Sequence, residues 1–426
     1  MENDSAIDRD GGVIMVKHLW RWGLGLAIAL LTVAPAAARP CDPDTPGTVP
    51  TRVLRVAMYN DIPDSQGAYL ALAQNYERCH HDIRIVLVSL PEYYDEDADD
   101  GIVKAKADVY ELDSVFLADF VKAGRIQPLR GDWSADTASW VPFAKAAAMR
   151  DGKLYGLAHW LCGNFLIYRS PDEALAKART LSDVVAAFKT PFPNKWLVAD
   201  FKGRSTLGEM YLDGLMDRYK SSTVALSHVD PAAIDPDVVA NMGKAIDLMR
   251  PGFGRDNDYH GVAGFYQRQF GRGTGRAMIS YSEGLYYALD AGRYDCRKDE
   301  ACLTGDDIQV AEWPLDDQGS SPVAWVDLLT IDASASGQKL ADAEEFIRWV
   351  EDPDTYKMFL VPDWGHAPRY LLPARAALFT DPAFTKEAPL YPAFLRALTN
   401  ATAMTDLGLN GRLRTIGKTL DGQLKK

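Results

Sequence analysis

Short apolar segments alternate with helical segments through the first part of this chain of 426 residues. Residues 52–59, 83–90 and 107–112 are apolar runs of strand length, whereas residues 66–79 and 114–123 carry apolar side chains at helical spacing. Strands that alternate with helices are joined by right-handed crossovers into a parallel sheet. The order of these segments therefore predicts an open α/β sheet with helices on its faces.

Two later apolar segments have the position expected of chain crossings between two such sheets. Residues 154–168 form a run that is longer than most strands, and residues 323–331 form a second run that returns to the first sheet. Strands and helices alternate between the two runs as well. We therefore predict the α/β fold of a type II periplasmic binding protein, with two lobes and a ligand cleft between them. Residues 39–158 and 327–426 are assigned to lobe 1, and residues 159–326 to lobe 2.

The first 38 residues have the features of a secretion signal. A short basic stretch at 17–21 precedes an apolar run at 22–31, and the alanines at 36–38 offer a signal-peptidase site. The apolar run is too short for a comfortable transmembrane span. An acidic stretch precedes the basic residues, so Met15 is an alternative translation start. We expect a periplasmic or secreted protein that has no membrane association after signal removal.

The chain has five cysteines, an odd number for a protein that is expected to be exported. Cys296 and Cys302 can close a small loop, and Cys41 and Cys79 offer a second pair, but four cysteines allow three pairings. Cys162 is left without an obvious partner. An unpaired thiol in such a chain is either a buried spectator or a nucleophile.

Charge and motif content exclude several classes of function. The formal net charge of −13 disfavours a nucleic-acid partner. The histidines show no metal-ligand spacing, and no glycine motif for phosphate or dinucleotide binding occurs in the sequence. We therefore expect neither a metal nor a cofactor.

Aromatic and acidic side chains gather at the ends of the predicted strands. They are Tyr59, Asp61, Tyr93, Tyr94, Asp113, Tyr281, Glu283, Trp325 and Asp327. Open α/β sheets bind ligands beyond the carboxyl ends of their strands, so we expect this set to line the cleft. Aromatic faces attract positive charge and carboxylates bond amino groups, which suits a flat, cationic, nitrogen-rich ring. For any single tyrosine, a half-buried structural role is the simpler interpretation.

Five segments of the chain resemble thiaminase I (thiamine pyridinylase). They lie at residues 110–117, 161–168, 280–283, 325–327 and 369–374. In order and spacing, the resemblance spans roughly residues 53–379. Its most specific part is the combination of the leucine–cysteine strand with the tyrosine–serine–glutamate turn.

The resemblance implies an enzyme with the periplasmic-binding-protein fold, which is usually monomeric. Such an enzyme cleaves thiamine and replaces its thiazole with another base, namely pyridine, aniline, a thiol or water. Cys162 matches the nucleophile of the family, and Glu283 matches its catalytic base.

Other residues match the part of the family pattern that holds the pyrimidine ring and lines the cleft. They are Tyr59, Asp113, Tyr266, Tyr281 and Asp327, with Tyr93 or Tyr94 as a further lining residue. Two positions depart from the pattern. Asp61 stands where a second aromatic residue is expected, and Trp325 replaces a tyrosine.

The residues themselves leave two interpretations of Glu283 open. Ser282 has the position of an N-cap for a helix that continues through residues 286–289. The helix dipole stabilises a carboxylate in the first turn, which lowers its pKa and weakens it as a base unless burial or nearby carboxylates raise that pKa. Glu283 is then only an acidic residue at a helix start, whereas the resemblance favours catalysis.

A second class of function has the same fold and cleft. A non-catalytic periplasmic receptor for thiamine or a related pyrimidine would share both, but it has no use for a reactive thiol near a carboxylate. A sugar or peptide receptor explains the aromatic cleft but not Cys162. A protease dyad of His159 and Cys162 is disfavoured, because a spacing of three residues along a strand points the two side chains to opposite faces.

Overall fold

The alternating segments fold into two main sheets with helices packed around them. The computed structural model describes residues 49–90, 105–251, 259–295, 303–360 and 365–424. The predicted signal segment, Tyr93 and Tyr94 lie outside the described residues. The strands are β1 Arg52–Ala57, β2 Ile83–Val88, β3 Val109–Asp113, β4 Ile126–Gln127, β5 Met149–Arg150, β6 Lys153–Leu154, β7 Gly156–Cys162, β8 Phe165–Arg169, β9 Trp196–Val198, β10 Gly275–Ser280, β11 Ile308–Glu312, β12 Val323–Asp332, β13 Leu372–Pro373 and β14 Thr402–Ala403.

The helices connect and cover these strands. They are α1 Ser65–Cys79, α2 Ser114–Lys122, α3 Ser134–Thr137, α4 Pro142–Ala148, α5 Glu173–Lys177, α6 Leu181–Phe188, α7 Arg204–Tyr219, α8 Ser222–Ser227, α9 Pro236–Ile246, α10 Phe265–Gly271, α11 Gly284–Asp290, α12 Gly337–Val350, α13 Pro353–Leu360, α14 Pro382–Thr385, α15 Tyr391–Ala397 and α16 Leu409–Leu424. None of these described helices is both long enough and apolar enough to cross a membrane.

The first sheet has the strand order β13-β7-β12-β3-β1-β2, with β4 and β14 also paired to β12. β1 runs parallel to β2 and β3, as the alternation of strands and helices predicts. The returning strand β12 is antiparallel to both β3 and β7. Its register places Asp327 opposite Asp113, and Trp325 opposite Cys162. Four residues from three distant segments of the sequence are thus brought to one edge of this sheet.

The second sheet has the order β11-β8-β10-β9 and mixes parallel and antiparallel pairs. Residues 154–168, predicted as one long strand, are divided between the two sheets, because β7 ends at Cys162 and β8 begins at Phe165. Gly163 allows this crossing to pass close to the returning chain. A Cβ atom at Gly163 would lie 3.0 Å from the backbone oxygen of Val323. The two crossings therefore lie side by side, next to Cys162.

The C-terminal helix α16 packs against α7, whose residues were assigned to lobe 2. The two helices approach closely at two glycines. A Cβ atom at Gly208 would lie 2.3 Å from the oxygen of Leu413, and one at Gly417 would lie 1.9 Å from the oxygen of Arg204. The lobe limits drawn from the sequence stay a prediction, and this contact joins a segment assigned to lobe 1 to a helix of lobe 2.

Polar side chains fix where the helices next to the sheets begin. Asp113 ends β3 and caps α2, because its carboxylate accepts a hydrogen bond of 2.8 Å from the backbone N–H of Val115. Thr180 and Asp183 form a capping box at the start of α6. The cap on α2 holds the Asp113 carboxyl group at the edge of the sheet where Cys162 lies.

Candidate active site

Cys162 is a half-buried free thiol at the end of β7, beside the first crossing between the sheets. Its S–H group points to Oδ2 of Asp327, with a separation of 3.8 Å. Burial raises the pKa of the Cys162 thiol well above its usual range, and the nearby carboxylates of Asp327 and Glu283 raise it further. The thiol is therefore protonated at neutral pH, and it needs a base to become a nucleophile.

Two aspartates face each other across β3 and β12. Asp327 is 3% exposed and Asp113 is 5% exposed. Burial raises the pKa of Asp327 well above its usual range, and the charges of Asp113 and Glu111 add to this effect. The charge of one carboxylate opposes ionisation of the other, so the two aspartates do not both ionise readily.

Glu283 lies at the start of α11, where it occupies the N-cap position that the sequence predicts for Ser282. Its side chain makes no capping hydrogen bond. Burial raises the pKa of Glu283 to about 7, and the charge of Asp61 contributes in the same direction. Burial and a nearby carboxylate are the conditions under which the sequence allows this pKa to rise in spite of the helix dipole, and both are present. A carboxyl group with this pKa can accept and return a proton near neutral pH.

Tyr281 follows β10 and lies close to the first crossing. Ser280 is opposite Phe165 in the sheet, which places Tyr281 near Asn164 and Cys162. The phenol O–H of Tyr281 donates a hydrogen bond to Oε2 of Glu209 on α7. Burial, together with the charge of Glu209, raises the pKa of Tyr281 well above its usual value, so this side chain is a neutral donor.

Glu209 was not predicted from the sequence. Burial raises its pKa to about 8, and its charge is among those that raise the pKa of the Cys162 thiol. The signal that could have revealed it is the four-residue spacing of Glu209, Asp213 and Asp217, which puts three acidic side chains on one face of α7. Most of the neighbouring side chains of α7 are buried, so this acidic face also points inward.

The other two acids of α7 hold the segments that cross between the sheets. Asn164 donates a hydrogen bond of 2.7 Å to Asp213. Asp217 accepts backbone hydrogen bonds from Leu315 at 2.6 Å and from Ser321 at 2.5 Å. The acidic face of α7 is thus attached to both crossings and is positioned relative to Cys162 by them.

Tyr59 and Asp61 follow β1, as the sequence predicts. Tyr59 is half-buried, and its backbone N–H donates a hydrogen bond of 2.8 Å to Oε2 of Glu111. Asp61 is exposed, and its charge acts on Glu283 from the first sheet. The structure therefore brings the end of β1 and the start of α11 into electrostatic contact.

Three further residues that the sequence analysis discusses are all buried, at different places in the fold. Trp325 is 5% exposed and lies opposite Cys162. Tyr266 is 4% exposed on α10, which packs against α11. His159 is fully buried, and its Nδ1 is 2.6 Å from Oε1 of Glu111. The pairing of His159 with Glu111 agrees with the argument against a dyad of His159 and Cys162.

No group of three metal-ligating side chains occurs within the residues that the structure describes. Acidic and aromatic side chains surround Cys162. A protonated thiol, a carboxyl group poised near pH 7 and two buried aspartates can together perform nucleophilic addition with proton transfer.

Comparisons with known proteins relate this site to one family. The family model described as Thiaminase-1 domain matches residues 163–295, a range that includes Glu209, Tyr266, Tyr281 and Glu283 and begins one residue after Cys162. The curated protein Thiaminase-1 of Paenibacillus thiaminolyticus is 28% identical over 377 residues, which cover 86% of this chain and 85% of that protein.

Solved structures show the same relationship at the level of the fold. Clostridium botulinum thiaminase I in complex with thiamin superposes with a TM-score of 0.73 at 21% identity, covering 88% of this chain and 100% of that one. Maltose-bound T. maritima MalE3 superposes with a TM-score of 0.64 at 15% identity, covering 87% and 100%. The predicted two-lobed fold and the predicted resemblance are both confirmed.

Proposed function

Since this chain is similar to thiaminase I over most of its length, we propose that it is a thiamine pyridinylase. The enzyme is a transferase that replaces the thiazole of thiamine with another base. The observation that carries the proposal is a free thiol at Cys162 that contacts Asp327 and feels the charge of Glu283, in a fold shared with thiaminase I. Thiamine is cationic and carries an aminopyrimidine, which suits a site of carboxyl and aromatic groups.

The first step forms a carbon–sulfur bond. Glu283 takes the proton of the Cys162 thiol, and the thiolate adds to the electron-poor pyrimidine carbon next to a ring nitrogen. The addition breaks the aromaticity of the ring and places electrons on its nitrogens. The buried pair of Asp113 and Asp327, in which the pKa of Asp327 is raised, stabilises this charge by hydrogen bonding to the ring and its amino group.

The second step exchanges the bases at the methylene carbon. The ring electrons expel the thiazole, which leaves as a neutral molecule because the bonding pair returns to its positively charged nitrogen. An acceptor then forms a new bond to the methylene carbon. Finally the carbon–sulfur bond breaks, aromaticity returns, and Cys162 recovers its proton from Glu283.

Export and disulfide formation belong to the same proposal. The signal-like residues 1–38 support a periplasmic or secreted enzyme, and they lie outside the described structure. Cys41, Cys296 and Cys302 also lie outside it, so the pairing of Cys41 with Cys79 and that of Cys296 with Cys302 stay predictions. Cys162 is free for chemistry.

The alternative is a receptor that binds thiamine without cleaving it. Mass spectrometry of the mature protein incubated with thiamine and pyridine separates the two. A pyrimidinylmethyl-pyridinium product together with free thiazole supports the transferase. Intact thiamine, combined with a ligand-dependent rise in the melting temperature, would support the receptor and refute the proposal.

A further inference from the structure

We propose that Glu209, acting through the hydroxyl group of Tyr281, is a second proton-accepting group of this site and serves acceptors that carry a proton on the attacking atom. The inference rests on the proposed function and deepens it, because it concerns the acceptor class that the site can use. It assigns a role to a side chain that lies outside the set of residues predicted from the sequence.

The number of protons released in the reaction depends on the acceptor, and a second proton-accepting group is useful when the acceptor itself releases one. With pyridine as acceptor, the thiol proton moves to Glu283 and returns to the thiolate at the end, so no proton is left over. An amine, a thiol or water must also lose a proton when its nitrogen, sulfur or oxygen bonds to the methylene carbon. Glu283 still holds the thiol proton at that moment, because the carbon–sulfur bond has not yet broken. A second acceptor of protons is therefore required for these nucleophiles.

The geometry places Glu209 where it can meet this need. Its Oε2 accepts the phenol hydrogen bond of Tyr281, and Tyr281 lies beside the first crossing because Ser280 is opposite Phe165. One turn further along α7, Asp213 is bonded to Asn164, only two residues after Cys162. The Glu209–Tyr281 pair is thus fixed on the lobe 2 side of the thiol, whereas Asp113 and Asp327 lie on the lobe 1 side.

The electrostatics of the pair suit proton transfer at mildly alkaline pH. Burial raises the pKa of Glu209 to about 8, against the lowering effect of the Tyr281 hydrogen bond. The charge of Glu209 acts on both Tyr281 and Cys162, which shows that the three groups share one environment. A phenol that donates to a carboxylate can take a proton from a bound acceptor as it passes its own proton on.

The test compares two acceptors at saturating thiamine, aniline with a transferable proton and pyridine without one. We expect the ratio of kcat/KM for aniline to that for pyridine to fall about tenfold or more in Glu209→Gln. The wild-type ratio should rise with pH through about 8, where Glu209 ionises. The variant should lose this rise, which a merely structural role of Glu209 would not affect.

Two further variants complete the experiment. Tyr281→Phe removes the hydroxyl link and should lower the ratio in the same direction, which keeps the test valid if Glu209→Gln does not fold. Glu173→Gln removes a carboxyl group that is 86% exposed on α5 and paired with Lys177, and it should keep the wild-type ratio.

The outcomes separate this inference from the proposed function. If the wild-type enzyme exchanges both acceptors and neither Glu209→Gln nor Tyr281→Phe changes the ratio or its pH dependence, the role of Glu209 is overturned and the transferase stands. If the wild-type enzyme forms no product with either acceptor, both proposals fail.

Discussion

The Cys162 thiol is surrounded by carboxyl groups that burial makes harder to ionise. The pKa of Glu283 is raised to about 7, that of Glu209 to about 8, and that of Asp327 well above its usual range. Groups of this kind exchange protons near neutral pH, where ordinary carboxylates stay ionised. At the residue scale, the carboxyl groups around the Cys162 thiol can therefore supply the proton transfers that the proposed mechanism requires.

The pH dependence of turnover should follow Glu283. Only its ionised form can take the thiol proton, so kcat/KM for thiamine with pyridine should rise with pH until about 7 and then level off. Glu283→Gln should still bind thiamine, lose about 10²-fold or more in turnover and lose the rise through pH 7. Steady-state rates across the pH range measure this. The same rise in Glu283→Gln would assign the titrating group to another residue.

The same carboxyl groups should cost stability when they ionise. The folded protein binds a proton at Glu283 and Glu209 more tightly than the unfolded chain does, because both pKa values lie above the ordinary 4.5. The fold is then increasingly destabilised as pH rises from about 4.5 towards 7 or 8, and the penalty is constant above that window. Glu283→Gln and Glu209→Gln should each melt a few degrees higher than the wild type at pH 9.

The difference in melting temperature should shrink towards zero at pH 4.5, where these groups are protonated in the folded state. Glu173→Gln is a suitable control, because the side chain of Glu173 is 86% exposed on α5. It should show no such pH-dependent gain. Equal melting curves for the wild type and both site variants at pH 9 would contradict the burial of these carboxyl groups.

At the scale of elements, α7 carries Glu209, and its position depends on close packing against α16. Gly208 and Gly417 allow the two helix backbones to approach, since a Cβ atom at either glycine would clash with a backbone oxygen of the other helix. Backbone oxygens cannot move aside as a flexible side chain can. The placement of Glu209 therefore depends on a glycine near the C-terminus, far from it in sequence.

Gly417→Ala should destabilise the protein by about 1–3 kcal/mol, as overpacking of a close contact usually does. Gly411→Ala on the same helix is the matched control, because a Cβ atom at Gly411 meets no atom within 4 Å. That change should be neutral or stabilising by up to about 1 kcal/mol, since alanine favours the helix over glycine. Chemical denaturation measures both, and equal effects of the two variants would contradict the close contact of α7 and α16.

The periodic pattern of the sequence predicts the elements well and their junctions less well. The first strands and helices lie within a few residues of their predicted limits, because apolar spacing reports burial directly. The sequence predicts one long strand over residues 154–168, because an apolar run does not reveal that its two halves belong to different sheets. The break at Gly163 becomes visible only when the returning chain at Val323 is placed beside it.

The sequence likewise reveals some residues of the candidate site but not others. Asp113 could be identified because it ends an apolar strand, and Asp327 because it interrupts the apolar return segment; the register of β3 and β12 then places them opposite each other. Glu209 lies inside a helix, and an acidic helical residue is normally exposed to solvent. The direction of the Glu283 pKa shift also required the structure, because the sequence shows the helix start but not the burial that outweighs its dipole.

At the scale of the whole molecule, hydrogen bonds at the far end of α11 also join segments that the sequence assigns to different lobes. Asp290, the last residue of α11, accepts hydrogen bonds of 2.6 Å from His366 and 2.7 Å from the backbone N–H of Ala367. Arg369, just beyond, bonds to Pro63 and Asp64 in lobe 1. Helix α11, which begins after Glu283, is thus hydrogen-bonded to a segment of the predicted lobe 1. These hydrogen bonds favour the arrangement that brings Glu283 towards Cys162.

Loss of the hydrogen bonds that Asp290 accepts from His366 and Ala367 should weaken thiamine binding. If Asp290→Ala lowers the fraction of molecules with the two lobes together, the apparent Kd for thiamine rises by the same factor, and we expect a rise of several-fold. Asp200→Ala is the control, because Asp200 forms a similar pair with His260 at 2.8 Å within lobe 2. Calorimetric titration measures both affinities. An equal Kd for Asp290→Ala and the wild type would contradict a role for this contact in binding.

The proposed mechanism requires Cys162 to be the nucleophile of the base exchange. The measurement that tests it most directly is the rate of thiazole release from thiamine and pyridine by the wild-type protein and by Cys162→Ser, with thiamine affinity determined for both. We predict that Cys162→Ser binds thiamine but releases thiazole about 10³-fold more slowly or worse, because a serine hydroxyl is a far weaker nucleophile towards the pyrimidine ring. Full turnover by Cys162→Ser would contradict the proposed role of Cys162 as the nucleophile.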